Sequence, residues 1–143
     1  LRTFLNGELF NALPDELKAV IKPVYKISDG GANNKALVTT TDYCWIPSYD
    51  EAGFEFNRTD NIPGQGERYA ETFGFGSDGN YTRIKYTSDG YTSGRWWLRT
   101  TSYGESIFML RVQDKGGVQS DGLWNKYYVA FGFCIGSAAS ITE

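Results

Sequence analysis

Two aromatic, apolar blocks in the last third constrain this chain more than any other feature: Trp96-Trp97-Leu98-Arg99 and Tyr128-Val129-Ala130-Phe131-Gly132-Phe133-Cys134-Ile135. Both are apolar enough to be buried strands. Between them Tyr103, Glu105, Trp124, Asn125 and Tyr127 stand in a polar, glycine-rich setting. The pattern is that of a rigid frame displaying a face made of loops.

A chain of 143 residues is one domain's worth, large enough to bury a core without metal or disulfide staples. Aromatics make up 16% of it and glycines number 17, a profile that favours strands joined by tight turns. Net charge is -3 and basic residues are scattered, so nucleic acid is not an expected partner. No run approaches the length of a membrane span, and the first residues form neither a basic region nor an apolar signal core, so no membrane insertion is expected. Cys44 and Cys134 both sit among apolar residues in expected strands. They are read as two buried thiols in preference to a disulfide.

Phe10, Leu13, Leu17, Val20 and Ile21 recur at spacings of three and four, which predicts a helix over 10–22 with Pro14 in its first turn and Lys22-Pro23 leading out. Val24-Tyr25-Lys26-Ile27-Ser28 alternates as a strand and runs into the turn formers that begin at Asp29-Gly30. Tyr43-Cys44-Trp45-Ile46-Pro47 reads as a short strand buried on both faces. Ser48 with Glu51 three residues on is a capping box for a short helix over 49–53. From there to about Asn80 the chain reads as loop.

Tyr81 to Thr87 alternates as a strand and turns at Ser88-Asp89-Gly90. The next strand, Gly94 to Thr100, is followed by a hairpin: Ile107 to Val112, a turn at Asp114-Lys115-Gly116-Gly117, and a return through Val118 and Gln119. Tyr127 to Ile135 closes the chain as a last strand. Helices come early and strands late, which predicts an α+β domain with one longer and one short helix on a twisted antiparallel sheet.

At Trp96-Trp97-Leu98-Arg99 and Val129 to Ile135 the chain resembles a bacterial and phage domain family of unassigned function, with a W-W-L-R-S block and a closing G-V-x-x-G/A-F/L-x-I strand. Leu5-Asn6-Gly7-Glu8-Leu9-Phe10-Asn11 is similar to that family's opening, and Thr41-Asp42 through Trp45-Ile46-Pro47-Ser48 to its T-x-D-x-x-W-L-x-S block. Arg83-Ile84-Lys85-Tyr86 is similar to its segment before the tryptophans. The layout in turn resembles the C-type lectin fold of formylglycine-generating enzymes and of diversity-generating retroelement targets. The resemblance implies a C-type-lectin-like domain over 1–143 with a variable face at about 100–128. Thr100-Thr101 departs from the family's Ser-Pro, which bears on the turn after Arg99, and Tyr128 from its Gly, which bears on the local backbone.

Histidine is absent, which removes Ser-His-Asp and Cys-His nucleophile systems and His-bearing zinc sites. A formylglycine-type activity would, by the resemblance, want two close reactive cysteines near the C-terminus, where only Cys134 stands. Asp50, Glu51, Glu55, Glu67, Glu71 and Glu105 leave a carboxylate-pair hydrolase as a reading. Trp124-Asn125 is followed by Lys126, not by the acid of a lectin calcium triplet, and no metal or cofactor is expected. The Asp-Gly pairs beginning at Asp29, Asp78, Asp89 and Asp121 read as turns.

Trp96 and Trp97 must face opposite sides of a sheet. Arg99 is read as a buried hydrogen bonder to loop carbonyls before a ligand contact, and Tyr81, Tyr86 and Tyr91 as packing. The expected binding residues are Ser102, Tyr103, Glu105, Ser106, Phe108, Arg111, Gln119, Asp121, Trp124, Asn125 and Tyr127, a set rich in the residues that give contact area at low entropic cost. The expectation is a non-catalytic binding domain at a bacterial cell surface, outside the cell or on a virion, holding a protein receptor or a surface glycan, as a retroelement target or phage receptor-binding protein. The alternative is a structural domain of a tail fibre or surface protein, assembling as a homo-oligomer.

Overall fold

A computed structural model describes residues 1–31, 34, 36–55, 62–102 and 107–136. Its architecture is mixed α and β, with few helices and small antiparallel sheets. The strands are β1 (Ile21–Lys22), β2 (Val24–Asp29), β3 (Leu37–Asp42), β4 (Lys85–Tyr86), β5 (Ser93–Gly94), β6 (Trp96–Thr101), β7 (Phe108–Val112), β8 (Val118–Gly122) and β9 (Cys134–Ile135). Instead of one large sheet, the described residues form three two-stranded pairs, β1-β9, β2-β3 and β4-β5, and one three-stranded sheet, β6-β7-β8.

The three-stranded sheet separates two cores. Trp96, Leu98, Leu110 and Val112 pack with Tyr49, Ala52, Phe54 and Phe73 on one face, while Trp97 packs with Leu5, Cys44 and Ile46 on the other. The side-chain period of two puts the tryptophans on opposite faces, and both are buried. Each such side chain contributes about 1.5–3 kcal/mol by leaving water.

The early helix differs from the one expected. The chain is helical over 2–12, widening to a π turn at Leu5–Leu9, and restarts at Asp15–Val20. Between these Leu13 is extended, with ψ 151°, because proline at the next position excludes the helical region for the residue before it. Pro14 therefore breaks the expected helix. The capping box forms, with Ser48 Oγ accepting from Glu51 N and Glu51 Oε2 accepting from Ser48 N, both at 3.1 Å, but it leads into turns rather than a helix.

Three further expectations are corrected. Ser77–Arg83 is a 3-10 turn and only Lys85–Tyr86 is strand, since Arg83 is pulled inward and its carbonyl accepts from Trp96 Nε1 at 3.0 Å. The terminal segment is extended but paired only in patches, touching Trp96 at Tyr128, Trp45 at Gly132 and β1 through β9, which leaves Cys134 exposed and both cysteines free. Tyr81, Tyr86 and Tyr91 do not pack; all three are exposed. Both positions that depart from the resembled family make contacts of their own. Thr101 N donates to Asp29 Oδ2 at 2.9 Å, a bond no proline could make, and the Tyr128 ring lies on Gly94, where a Cβ would stand 2.6 Å from it.

The elements are joined by a buried polar node. The β6-β7 register slips between Trp97 and Thr101, so Arg99 leaves the ladder and its N–H donates to Pro47 O at 3.0 Å. Its guanidinium grips both oxygens of Glu51 and donates to the carbonyls of Ile27 (2.9 Å), Ile46 (2.9 Å) and Gln65 (3.0 Å) and to Ser28 Oγ (3.0 Å). Lys26 Nζ donates to Glu51 Oε1 at 2.8 Å and to the Tyr69 hydroxyl, 4.2 Å above the Trp45 ring. Burial alone would raise the Glu51 pKa, yet Arg99 and then Lys26 hold it below the usual carboxylate range. Burial, then the nearby Glu51 charge, pushes the Tyr69 phenol well up.

A second buried arginine, Arg83, has no carboxylate in its hydrogen-bond set. It donates to the carbonyls of Ala52 (3.0 Å), Gly53 (3.4 Å), Gly74 (3.0 Å), Gly76 (2.5 Å) and Gly116 (3.1 Å) and to Asn80 Oδ1 (2.7 Å). Gly116, at φ +83°, is required here, because a Cβ would stand 1.9 Å from Asn80 O.

Glu51→Ala leaves two buried cations uncompensated and should cost about 3–5 kcal/mol by urea denaturation; a loss below about 1 kcal/mol would contradict the node. Because the folded pKa of Glu51 is depressed, its stabilisation is complete above the unfolded value and is lost as pH falls through the folded one. Thermal stability should therefore drop below about pH 4, and less steeply in Glu51→Gln.

Candidate functional site

The sheet presents a groups-rich end where β8 leads into residues 123–128, which cross the Trp97 face to reach Trp96. The register sets the site. Trp97, Arg111 and Gln119 stand in one cross-strand row, and Met109 and Asp121 in another, so all five share a face.

Asp121 organises it. Oδ2 accepts from Arg111 Nε (2.9 Å) and the Tyr127 hydroxyl (2.6 Å), and Oδ1 from Gly122 N (2.9 Å) and Asn125 Nδ2 (2.7 Å). Tyr127's phenol and then Arg111 hold the Asp121 carboxyl below its ordinary range. A turn closes with Asn125 N on Gly122 O at 3.0 Å, so the Asp121-Gly122 pair ends a strand and fixes the segment after it. Tyr127 packs on Trp97 with ring centroids 5.0 Å apart and lies 5.0 Å from the Arg111 guanidinium.

Trp124 is 66% exposed but not loose. Its indole lies on Gly122, where a Cβ would be 2.3 Å from the ring, and Phe108 meets it edge-on at 5.5 Å and 82°. The absent side chain of Gly122 is what lets the ring lie down.

The structure therefore brings together Phe108, Arg111, Gln119, Asp121, Trp124, Asn125 and Tyr127. Tyr103, Glu105 and Ser106 lie outside the described residues. Ser102 and Arg111 are not displayed: Ser102 N donates to Phe108 O at 3.1 Å to close the hairpin, and Arg111 lies under Tyr127, only 4% exposed as counted over all its atoms. Sequence reasoning missed Leu123, Lys126 and Val129, which with Leu1, Trp97, Met109 and Tyr127 line a groove of about 310 Å³. Leu123 and Lys126 stand in the mixed aromatic and polar run Leu123-Trp124-Asn125-Lys126-Tyr127, but no spacing in the sequence marks a groove.

Elsewhere, an apolar cavity of about 380 Å³ lies beside Cys44, Asp29 and Asp42. Its carboxylates are taken by the protein itself: Asp42 accepts from Arg2, Asn6 and Thr40, and Asp29 from Gly31, Gln65 and Thr101. Burial pushes the Cys44 thiol up, away from nucleophilic character. Of the carboxylate candidates, Asp50 and Glu51 are neighbours, but Glu51 is held by two cations. No group of three or more metal-ligating residues occurs among the described residues, and no helix there is long and apolar enough to cross a membrane.

A family model for a domain of unknown function, DUF6273, matches residues 1–137. The chain belongs to that family. No curated protein and no solved structure matches it.

Asp121→Asn leaves Arg111 buried without its counter-charge, and should cost about 1–3 kcal/mol in chemical denaturation; unchanged stability would contradict Asp121 as organiser of the segment.

Proposed function

We propose that this DUF6273 domain is a non-catalytic binding module that displays β8 and the segment after it to a protein receptor or glycan on another cell or virion. The observation that carries the reading is Trp124: a large ring, 66% exposed, held flat by Gly122, Phe108 and a turn locked through Asp121. A rigid exposed indole gives contact area without an ordering cost on binding, the character of an interface anchor. Polar groups at its margin, Gln119 and Asn125, suit a rim.

The two-core layout and the terminal segment that stitches it are compatible with a C-type-lectin-like scaffold. On that scaffold a retroelement target or phage receptor-binding protein would vary this face while β6 and the node stay fixed, at a bacterial surface, outside the cell or on a virion.

A second reading, an assembly domain of a fibre or surface protein, is favoured by one observation. Tyr128, Val129, Phe131 and Ile135 expose an apolar run along the terminal segment, the kind of surface that copies of a chain bury against one another.

The test is retention of the labelled domain on glycan arrays and on intact bacterial cells. Trp124→Ala should lose at least tenfold in retention with its melting temperature unchanged; retention equal to the parent's would overturn the binding reading. Size-exclusion chromatography separates the second reading, which requires a concentration-dependent oligomer.

A further inference from the structure

Arg83 and Arg111 are buried and Arg99 nearly so, and their hydrogen bonding differs. Arg83 and Arg99 each direct all their guanidinium nitrogens to protein acceptors. Arg111 does not: Nε donates to Asp121 (2.9 Å) and Nη2 to Gln119 Oε1 (3.0 Å), while Nη1 is buried with no partner, alone in this among the buried side-chain nitrogens and oxygens of the described residues. A buried donor left unpaired is costly and rare. The guanidinium is a rigid fork: Nε and Nη2 face Asp121 and Gln119 on β8, so Nη1 lies on the opposite edge, turned away from them, and the Tyr127 ring lies 5.0 Å from the guanidinium carbon.

The same Tyr127 ring lines a groove together with Leu1, Trp97, Met109, Leu123, Lys126 and Val129; Arg111 itself stays behind the ring. The Trp97 indole N–H and the Lys126 ammonium make no hydrogen bond or ion pair among the described residues, and the Tyr127 hydroxyl is already committed to Asp121 at 2.6 Å. The groove thus offers unused donors and no free side-chain acceptor. A polyol there would leave its own hydroxyl donors unpaired, whereas a carboxylate is acceptor-only. Asp121 neutralises Arg111, which leaves Lys126 as the uncompensated side-chain charge and calls for one negative charge on the occupant. The remaining walls are apolar, and about 310 Å³ is the space of a single ring or short chain.

We propose that this groove binds a monocarboxylate with a small apolar body, its carboxylate received by Arg111 Nη1, the Trp97 indole N–H and Lys126. Tyr127 is the wall between groove and guanidinium, held there by its bond to Asp121 and its packing on Trp97, and its ring swings aside to admit the carboxylate. The site goes beyond the recognition face: the two share Leu123, Lys126 and Tyr127, but neither Trp124 nor Phe108 lines the groove.

The experiment is a titration of the 143-residue chain with phenylacetate and with its uncharged counterpart phenylacetamide, followed through the side-chain NMR signals of Arg111 and the Trp97 indole. Phenylacetate should shift both, and the amide should bind at least tenfold more weakly. Lys126→Gln should weaken phenylacetate severalfold. Tyr127→Phe, which removes the bond holding the wall shut, should strengthen it severalfold, an effect that a purely structural tyrosine would not produce. An acetylated tripeptide ending in a free phenylalanine carboxylate separates the sources: tighter binding than phenylacetate points to a polypeptide C-terminus, and binding of the small acid alone to a free metabolite. Acid and amide indistinguishable, or no movement of the Arg111 signal at the solubility limit, would overturn the proposal. Loss of phenylacetate binding with Trp124-dependent retention intact would sink the groove alone.

Discussion

The joint of this molecule is the carboxylate of Glu51, held from one side by the paired nitrogens of Arg99 and from another by Lys26. Its three partners come from far apart in the chain: Lys26 from the β2-β3 hairpin, Ser48 from the turn that carries Glu51, and Arg99 from the bowed middle of β6. The remaining donors of Arg99 reach the carbonyls of Ile27, Ile46 and Gln65. The β6 register slip takes Arg99 out of the β6-β7 ladder and its N–H bonds Pro47 O instead. Charge-assisted bonds to one residue replace a sheet edge as the means of assembly. Burying three charges is costly, and the network compensates by leaving few donors without a geometric match.

That arrangement decides what the Trp97 face can be. The opposite face is filled by Trp96, Leu98, Leu110 and Val112 against the aromatic cluster of the 49–73 loops. On the Trp97 side the helical stretch over 2–12 covers only part of the sheet, and the crossing at 123–128 covers the rest. A segment locked by Asp121 rather than by strand pairing presents side chains outward and keeps them in place. The same crossing lays Tyr127 over Arg111, whose Nη1 has no partner. The exposed indole and the unpaired guanidinium nitrogen thus both lie at one covering segment.

The sequence made part of this legible. The β7-β8 hairpin follows from its Asp-Lys-Gly-Gly turn, the opposed faces of Trp96 and Trp97 from the period of a strand, and the inward role of Arg99 from its place after two tryptophans. The capping box was legible as hydrogen bonds but not as a helix, because Glu51 is drawn into the node instead of a first turn. Apolar spacing across 10–22 looked helical through Pro14, whose effect falls on Leu13, the residue before it. Tyr81 to Thr87 alternates like a strand, yet Arg83 is pulled in by five carbonyls, those of Ala52, Gly53 and Gly116 from distant loops, which no local pattern encodes. The terminal run is apolar enough to be buried on both sides, but its pairing is patchy and its outer side chains stay exposed. Of the site, the members on β7, β8 and the crossing were found from composition, whereas the groove was not, because it depends on how the crossing passes over Trp97.

The account rests on the node acting as a single cooperative joint, and native-state hydrogen exchange addresses that most directly. The amides of Tyr49, Arg99 and Thr101 are bonded across elements, to Thr100, Pro47 and Asp29 respectively, and that of Ser48 is bonded to the central carboxylate of Glu51. They should exchange together, only through global unfolding, while Leu123 and Asn125 in the crossing exchange through local opening. Separate, faster exchange of any of the four would show that these segments open independently, and would contradict the joint.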